Sequence, residues 1–163
     1  MLKLSKKVDY GLIALMHLAR NGESSSWSAR EISKAYDIPG GLLAKVLQKL
    51  GRADLVSSQH GTKGGYTLSR PAESIRALEV VEAIEGRVSL AQCFSADGEC
   101  LQFEKCNLKS PLQQLNDIVI RMLSRVTIAQ LAQEEFNTLE TVASEASGGT
   151  KTLSRPDLLP LIR

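Results

Sequence analysis

Ser28-Ala29-Arg30-Glu31-Ile32-Ser33-Lys34-Ala35-Tyr36-Asp37-Ile38-Pro39-Gly40-Gly41-Leu42-Leu43-Ala44-Lys45-Val46-Leu47-Gln48-Lys49-Leu50 is the stretch that decides the fold. Its first four residues form a Ser-x-x-Glu capping box, in which hydroxyl and carboxylate each satisfy a backbone N–H of the other. Ile32 and Ala35 follow in a short helix ending near Tyr36-Asp37. Pro39 and two glycines break that helix in a turn. Leu43, Val46, Leu47 and Leu50 then restore a helical period. A short helix, a turn and a second helix form a helix-turn-helix layout.

Outward from this stretch the pattern extends both ways. Upstream, Ser5 can cap a helix bearing Val8, Leu12, Leu15, Met16 and Ala19, stopping near Asn21-Gly22. Downstream, Leu55 to Gln59 and Tyr66 to Leu68 read as two short strands joined by His60-Gly61-Thr62-Lys63-Gly64-Gly65. The expected fold is mainly α with a small β-wing: a winged helix-turn-helix. An ordinary hairpin with a polar turn is the blander alternative for the two strands.

Beyond Arg70-Pro71, Ile75, Leu78, Val81 and Ile84 make an apolar stripe that suits a core helix and ends at Gly86. Ser110-Pro111-Leu112-Gln113 reads as a capping box with Pro at the first helical position. Leu112, Leu115, Val119, Met122 and Val126 then keep the spacing of coiled-coil core positions, widened by Ile118 and Leu123. This long helix either packs on its own domain, pairs across a two-fold axis as a dimerisation helix, or does both. Thr127-Ile128-Ala129-Gln130 caps a last short helix through about Glu135. The expected division is a DNA-binding winged helix over 1–86, a cysteine loop over 87–109, dimerisation helices over 110–135, and a flexible tail over 136–163. In that tail Leu158, Leu159, Leu161 and Ile162 could dock transiently.

Composition narrows the class. The chain has 163 residues, 43% hydrophobic and 23% charged, as in ordinary soluble proteins. No apolar run reaches the roughly 20 residues of a membrane span, and the first residues do not read as a signal peptide. The net charge of +2 hides an asymmetry. Up to Arg70 there are 11 Lys/Arg and 5 Asp/Glu; beyond it there are 9 and 13. A basic first half suits a phosphate-facing surface, since charge neutralisation supplies most sequence-independent affinity. A merely solvated basic surface is the alternative.

On the helix-turn-helix reading, Ser28, Arg30, Pro39, Gly40, Gly41, Leu42, Lys45 and Lys49 lie on or beside the recognition helix. His60 and Lys63 lie at the wing tip. The expected partners are double-stranded DNA and a second copy of the chain, with no membrane and no small-molecule substrate. No Cys-x-x-Cys, phosphate loop or nucleophile–base arrangement points to an enzyme.

All three cysteines, Cys93, Cys100 and Cys106, fall in one polar segment. An odd, clustered set without a secretion signal points to a reducing cytoplasm. Zinc sites usually present closely paired cysteine knuckles, which are missing. Thiolates also suit iron–sulfur clusters. The spacing therefore ranks an iron–sulfur centre first, a thiol redox switch next and zinc after it, with no ligand at all as the remaining reading. Neither His17 nor His60 follows the last cysteine, so a fourth ligand must be Asp97, Glu99, Glu104 or a residue from another segment.

Leu4-Ser5-Lys6, Asp9-Tyr10-Gly11, the helix-turn-helix, Gly64-Gly65-Tyr66-Thr67-Leu68 and the cysteine trio together resemble the Rrf-type winged-helix iron–sulfur regulators, the IscR/NsrR-like family. The likeness covers about Met1 to Glu135. Val81-Glu82-Ala83-Ile84-Glu85-Gly86 and Thr127-Ile128-Ala129-Gln130-Leu131 look most like the branch regulating the SUF iron–sulfur assembly system. The resemblance implies a homodimeric bacterial transcription regulator, often a repressor, whose cluster alters DNA affinity. In the IscR branch a histidine three residues after the last cysteine is a ligand; here Lys109 stands there, and a protonated lysine cannot coordinate. In the nitric-oxide-sensing branch an aspartate of the first helix, supplied by the other subunit, fills the role, and Asp9 matches it. A solvent-facing or ion-paired carboxylate is the plainer reading of Asp9. His60 also departs from the arginine common in IscR-like wings. A two-iron (2Fe-2S) cluster is expected ahead of a four-iron one, with control of iron–sulfur assembly genes. The alternatives are a nitric-oxide-sensing repressor of the same family and, in another class, a thiol or zinc redox protein.

Overall fold

The computed structural model describes residues 4–21, 25–59, 64–91, 94 and 103–133. The expected tail, 136–163, lies outside them.

Helix α1 (Lys6–Arg20) starts after Ser5, whose hydroxyl makes no cap bond. It buries Val8, Gly11, Ala14, Leu15, His17 and Leu18. Of the expected stripe only Val8 and Leu15 are buried, while Leu12, Met16 and Ala19 are half-buried; the buried face is shifted because α3 and α4 pack on α1 along with α6 and the second strand. In α2 (Ala29–Ala35) the Ser28–Glu31 capping box forms as read: Ser28 N–H donates to Glu31 Oε2 at 2.8 Å, and Glu31 N–H to Ser28 Oγ at 3.2 Å.

The turn to α3 (Gly40–Arg52) passes through Asp37 at φ 51°, a left-handed position that Asp tolerates better than most residues. Ser33 braces it, its hydroxyl donating to the Ile38 carbonyl at 2.6 Å. Ile38 plugs the core beneath. Pro39 opens α3, its carbonyl accepting from Leu42 and Leu43. Leu43, Val46, Leu47 and Leu50 are all buried, as their spacing requires.

Strands β1 (Val56–Gln59) and β2 (Gly65–Leu68) pair antiparallel, Val56 opposite Leu68 and Gln59 opposite Gly65. A single residue, Trp27, forms a third edge. Its N–H donates to the Tyr66 carbonyl at 3.1 Å and its carbonyl accepts from Tyr66 at 2.8 Å. A Cβ on Gly65 would sit 2.7–2.8 Å from Trp27 backbone atoms, so only glycine permits this approach.

The stripe expected to begin at Ile75 divides. Helix α4 spans Ala77–Glu85, whereas Ile75 precedes it in an extended conformation, after a 3-10 turn over Ala72–Ser74. Ile75 is held there by a distant partner: its carbonyl accepts from Ile128 at 2.9 Å, Ala77 N–H donates to Val126 at 2.9 Å, and Arg76 bridges Thr127. Glu79 secures the same corner through Arg76 N–H at 2.8 Å and an ion pair with Arg70. Gly86, at φ 88°, ends α4.

Helix α5 (Lys109–Arg125) departs from the expectation at its start. It begins at Lys109 after Leu108 with no side-chain cap, so Ser110 and Pro111 lie inside the first turn rather than before it. The Thr127–Gln130 box does form, with Thr127 N–H to Gln130 Oε1 at 2.9 Å and Gln130 N–H to Thr127 Oγ1 at 3.1 Å. It opens α6 (Ile128–Gln133), which folds back onto α1, where Arg20 Nε donates to the Ala132 carbonyl at 2.7 Å. Ile128 joins the core built from α1 to α4. Among the described residues, no helix is long and apolar enough to cross a membrane.

Candidate nucleic-acid interface

The burial of Leu43, Val46, Leu47 and Leu50 fixes which face of α3 is left to solvent. Gly41, Lys45, Gln48 and Arg52 lie along it at helical spacing, and all are exposed. Among the described residues nothing lies within 4 Å of where a Gly41 Cβ would stand, so the helix N-terminus is open to a close neighbour. Gly40 differs: its Cβ would come 3.4 Å from Ser33 Oγ, so it serves the contact with α2.

The expected contact residues divide by role. Pro39, Gly40 and Lys45 are exposed and Leu42 is half-buried. Arg30 is exposed on α2. Ser28 has its hydroxyl in the capping box, donating to Glu31 Oε2 at 2.7 Å. Lys49 turns away from the stripe, its ammonium donating to the Ile84 carbonyl at the end of α4, a favourable place for a cation. His60 and Lys63 lie outside the described residues. Gln48 and Arg52 were missed by the sequence reading, although the period that placed Lys45 also places them.

Gln48 and Arg52 also line a cleft of about 450 Å³ between α3 and the wing, with Asp54, Ser57, Ser58 and Tyr66 around it. Beneath the wing root lies His17, buried, with its ring edge-on to Trp27 at 4.6 Å and to Tyr36 at 5.5 Å. Nδ1 shares a 3.2 Å hydrogen bond with the Tyr36 hydroxyl, while Nε2 is buried with no hydrogen-bond partner among the described residues. Burial lowers the His17 pKa from its ordinary value, partly opposed by Glu31. The Glu31 carboxyl lies below its ordinary value because the Ser28 hydroxyl and N–H bond to it.

Of the expected cluster ligands, Cys93 and Cys100 lie outside the described residues. Cys106 is a half-buried free thiol, three residues before α5 begins. Asp9 is half-buried on α1, 3.6 Å from Lys6 Nζ. Among the described residues, no group of three or more His, Cys, Asp or Glu gathers in a way that could hold a metal ion. Beyond Cys106, Leu108 just before α5 is 58% exposed, and within α5 Leu115 is 52% and Ile118 47% exposed.

Comparison with known proteins agrees with this architecture. "Protein aau3" of Rhizobium meliloti (strain 1021) is 35% identical over 133 residues, covering 81% of this chain and 86% of that protein. The structure of CymR (YrzC), the global cysteine regulator of B. subtilis, is 27% identical with a TM-score of 0.68, covering 82% of this chain and 98% of that one. T. potens IscR shares the fold at 24% identity and a TM-score of 0.64, covering 92% and 94%. Residues 4–134 match the Rrf2 family model, described as an iron-dependent transcriptional regulator. The chain belongs to the Rrf2 family of transcriptional regulators.

Proposed function

We propose that this regulator acts as a homodimer, presents α3 to the major groove, and reports the state of an iron–sulfur centre in its cysteine segment to iron–sulfur assembly genes. The observation that carries the DNA-reading part is the exposed stripe Gly41, Lys45, Gln48 and Arg52 above a fully buried leucine–valine face. Lys45 and Arg52 neutralise phosphate, and Gln48 suits an adenine edge. Arg30, Ser28 and the Pro39–Leu42 turn flank the backbone, with His60 and Lys63 as contacts from the wing tip.

Dimerisation is supported by Leu108, Leu115 and Ile118, which stand in water in a single chain. Two such subunits would address a pseudo-palindrome, half-sites spaced by the helical turn.

The donor set fits a cluster: three cysteines lie within Cys93–Cys106, and Cys106 is a free thiol. Cys93, Cys100 and Cys106 would hold it, with Asp9 of the partner subunit as the fourth ligand. A two-iron form is favoured over a four-iron form. When bound, such a group supplies a centre whose presence or oxidation differs with iron supply, oxidant or nitric oxide. A second reading, prompted by the cysteine regulator of B. subtilis, is a regulator whose thiols report sulfur status directly.

Anaerobic purification separates the readings. Coloured protein containing iron and sulfide, and a duplex-DNA shift that weakens steeply with salt, are expected. Colourless protein with stoichiometric zinc overturns the cluster. Asp9→Ala should perturb the spectrum more than Glu104→Ala; equal spectra remove Asp9 from the site.

A further inference from the structure

We propose that Asn116 is a positioning residue that fastens the cysteine-bearing segment to α5. It rests on the reading of that segment as the sensor. Helix α5 has 17 residues, and Asn116 is its one buried residue, 8% exposed. Burying an amide is worse than burying a hydrocarbon unless the amide gains a bond. Asn116 gains one across the fold: its Oδ1 accepts the Leu90 N–H at 3.0 Å.

Leu90 stands three residues before Cys93. The chain turns there, with Ser89 Oγ donating to the Ala91 carbonyl at 2.6 Å and Phe94 N–H to the same carbonyl at 3.0 Å. At the other end, Cys106 stands three residues before Lys109, the first residue of α5. One helix therefore holds both shoulders of the cysteine segment. The later shoulder is joined covalently; the earlier is held through Asn116, about 10 Å further along at ~1.5 Å per residue. Asn116 faces inward, while Leu115 and Ile118 on the same turns face outward. A shift at Leu90 is thus delivered to the helix that carries the exposed apolar stripe.

The test uses the full chain and a duplex that the wild-type protein selects from a random pool. DNA affinity is measured with the thiols free, and again after anaerobic loading with ferrous iron and sulfide. For the wild type an affinity ratio of about 10 or more is expected between the two states. Asn116→Leu keeps the volume and removes the acceptor. It should take up the same iron and sulfide with the same absorption spectrum and retain the DNA affinity measured with the thiols free, but bring the ratio to about 1. Asn116→Asp keeps an acceptor oxygen and should restore most of the ratio. Should Asn116→Leu prove insoluble, Leu90→Pro cuts the same bond from the donor side and carries the same expectation. A wild-type ratio in the bond-cutting variant, or no ratio in the wild type, overturns the proposal. Wild-type protein that takes up no iron and sulfide overturns the cluster reading alone. The ratio is then measured with the thiols capped by N-ethylmaleimide, and the same two outcomes decide on Asn116.

Discussion

Helices α3 and α5 carry similar apolar spacing and meet opposite fates. In α3, 13 residues bury Leu43, Val46, Leu47 and Leu50. In α5, 17 residues bury Asn116 alone, and Leu115 and Ile118 stand in solvent. An amphipathic pattern requires a partner but does not say where it comes from. For α3 the partner is the rest of the chain; for the exposed face of α5 we propose a second copy.

Substitutions on the two helices should therefore be read by different instruments. Leu47→Ala empties a fully buried site and should cost about 3 to 5 kcal/mol in urea unfolding. A midpoint near wild type would mean that α3 is not seated as described. Leu115→Glu with Ile118→Glu should leave the helical circular dichroism of the monomer in place. By sedimentation it should abolish the dimer, and operator affinity should fall by about 100-fold as two linked half-sites become one. Dimers that persist would place the partner of α5 elsewhere.

Three smaller changes probe the α3 side. Gly65→Ala forces a Cβ into the Trp27 backbone and should cost about 2 kcal/mol while loosening the wing root. Ser28→Ala removes the hydroxyl half of the capping box, leaves the backbone N–H bond to Glu31, and should cost about 1 kcal/mol, with dimerisation unchanged. The smallest effect concerns pH. Because burial lowers the His17 pKa, the unfolded chain binds the proton first. The contribution of neutral His17 is complete above its ordinary value of 6.5 and declines as pH falls from there toward the lowered folded value. Denaturation midpoints at pH 7.5 and 5.5, compared with His17→Phe, should differ in the wild type by more than in the variant.

The sequence was most readable where local rules act alone. The Ser28 and Thr127 boxes form as read, and all four periodic residues of α3 are buried. Legibility failed where a partner distant in sequence intervened. Ile75 reads as helical, but its pairing with Val126 to Ile128 keeps it extended. Trp27 forms a strand edge one residue long, too short for any period. The inward face of α1 includes Gly11, Ala14 and His17, small or polar residues that packing on several sides buries without a strong apolar signal. On the stripe proposed to face DNA, Lys45 was legible from charge. Gln48 and Arg52 needed only the same helical count, whereas the diversion of Lys49 to the Ile84 carbonyl depends on where α4 ends.

The return of the chain after α5 has a mechanical consequence. Backbone bonds tie Val126 and Ile128 to residues 75–77, and Arg20 holds α6 at Ala132. The foot of α5 is thereby set in the body of the domain, and its head at Lys109 stands 17 residues away, ~25 Å at ~1.5 Å per residue. Such a rod converts angle into displacement: tilting it about its foot by roughly 10° moves its head by ~4 Å, comparable to the spacing between successive Cα atoms. The chain thus has built-in leverage, with the head of the arm three residues from a cysteine.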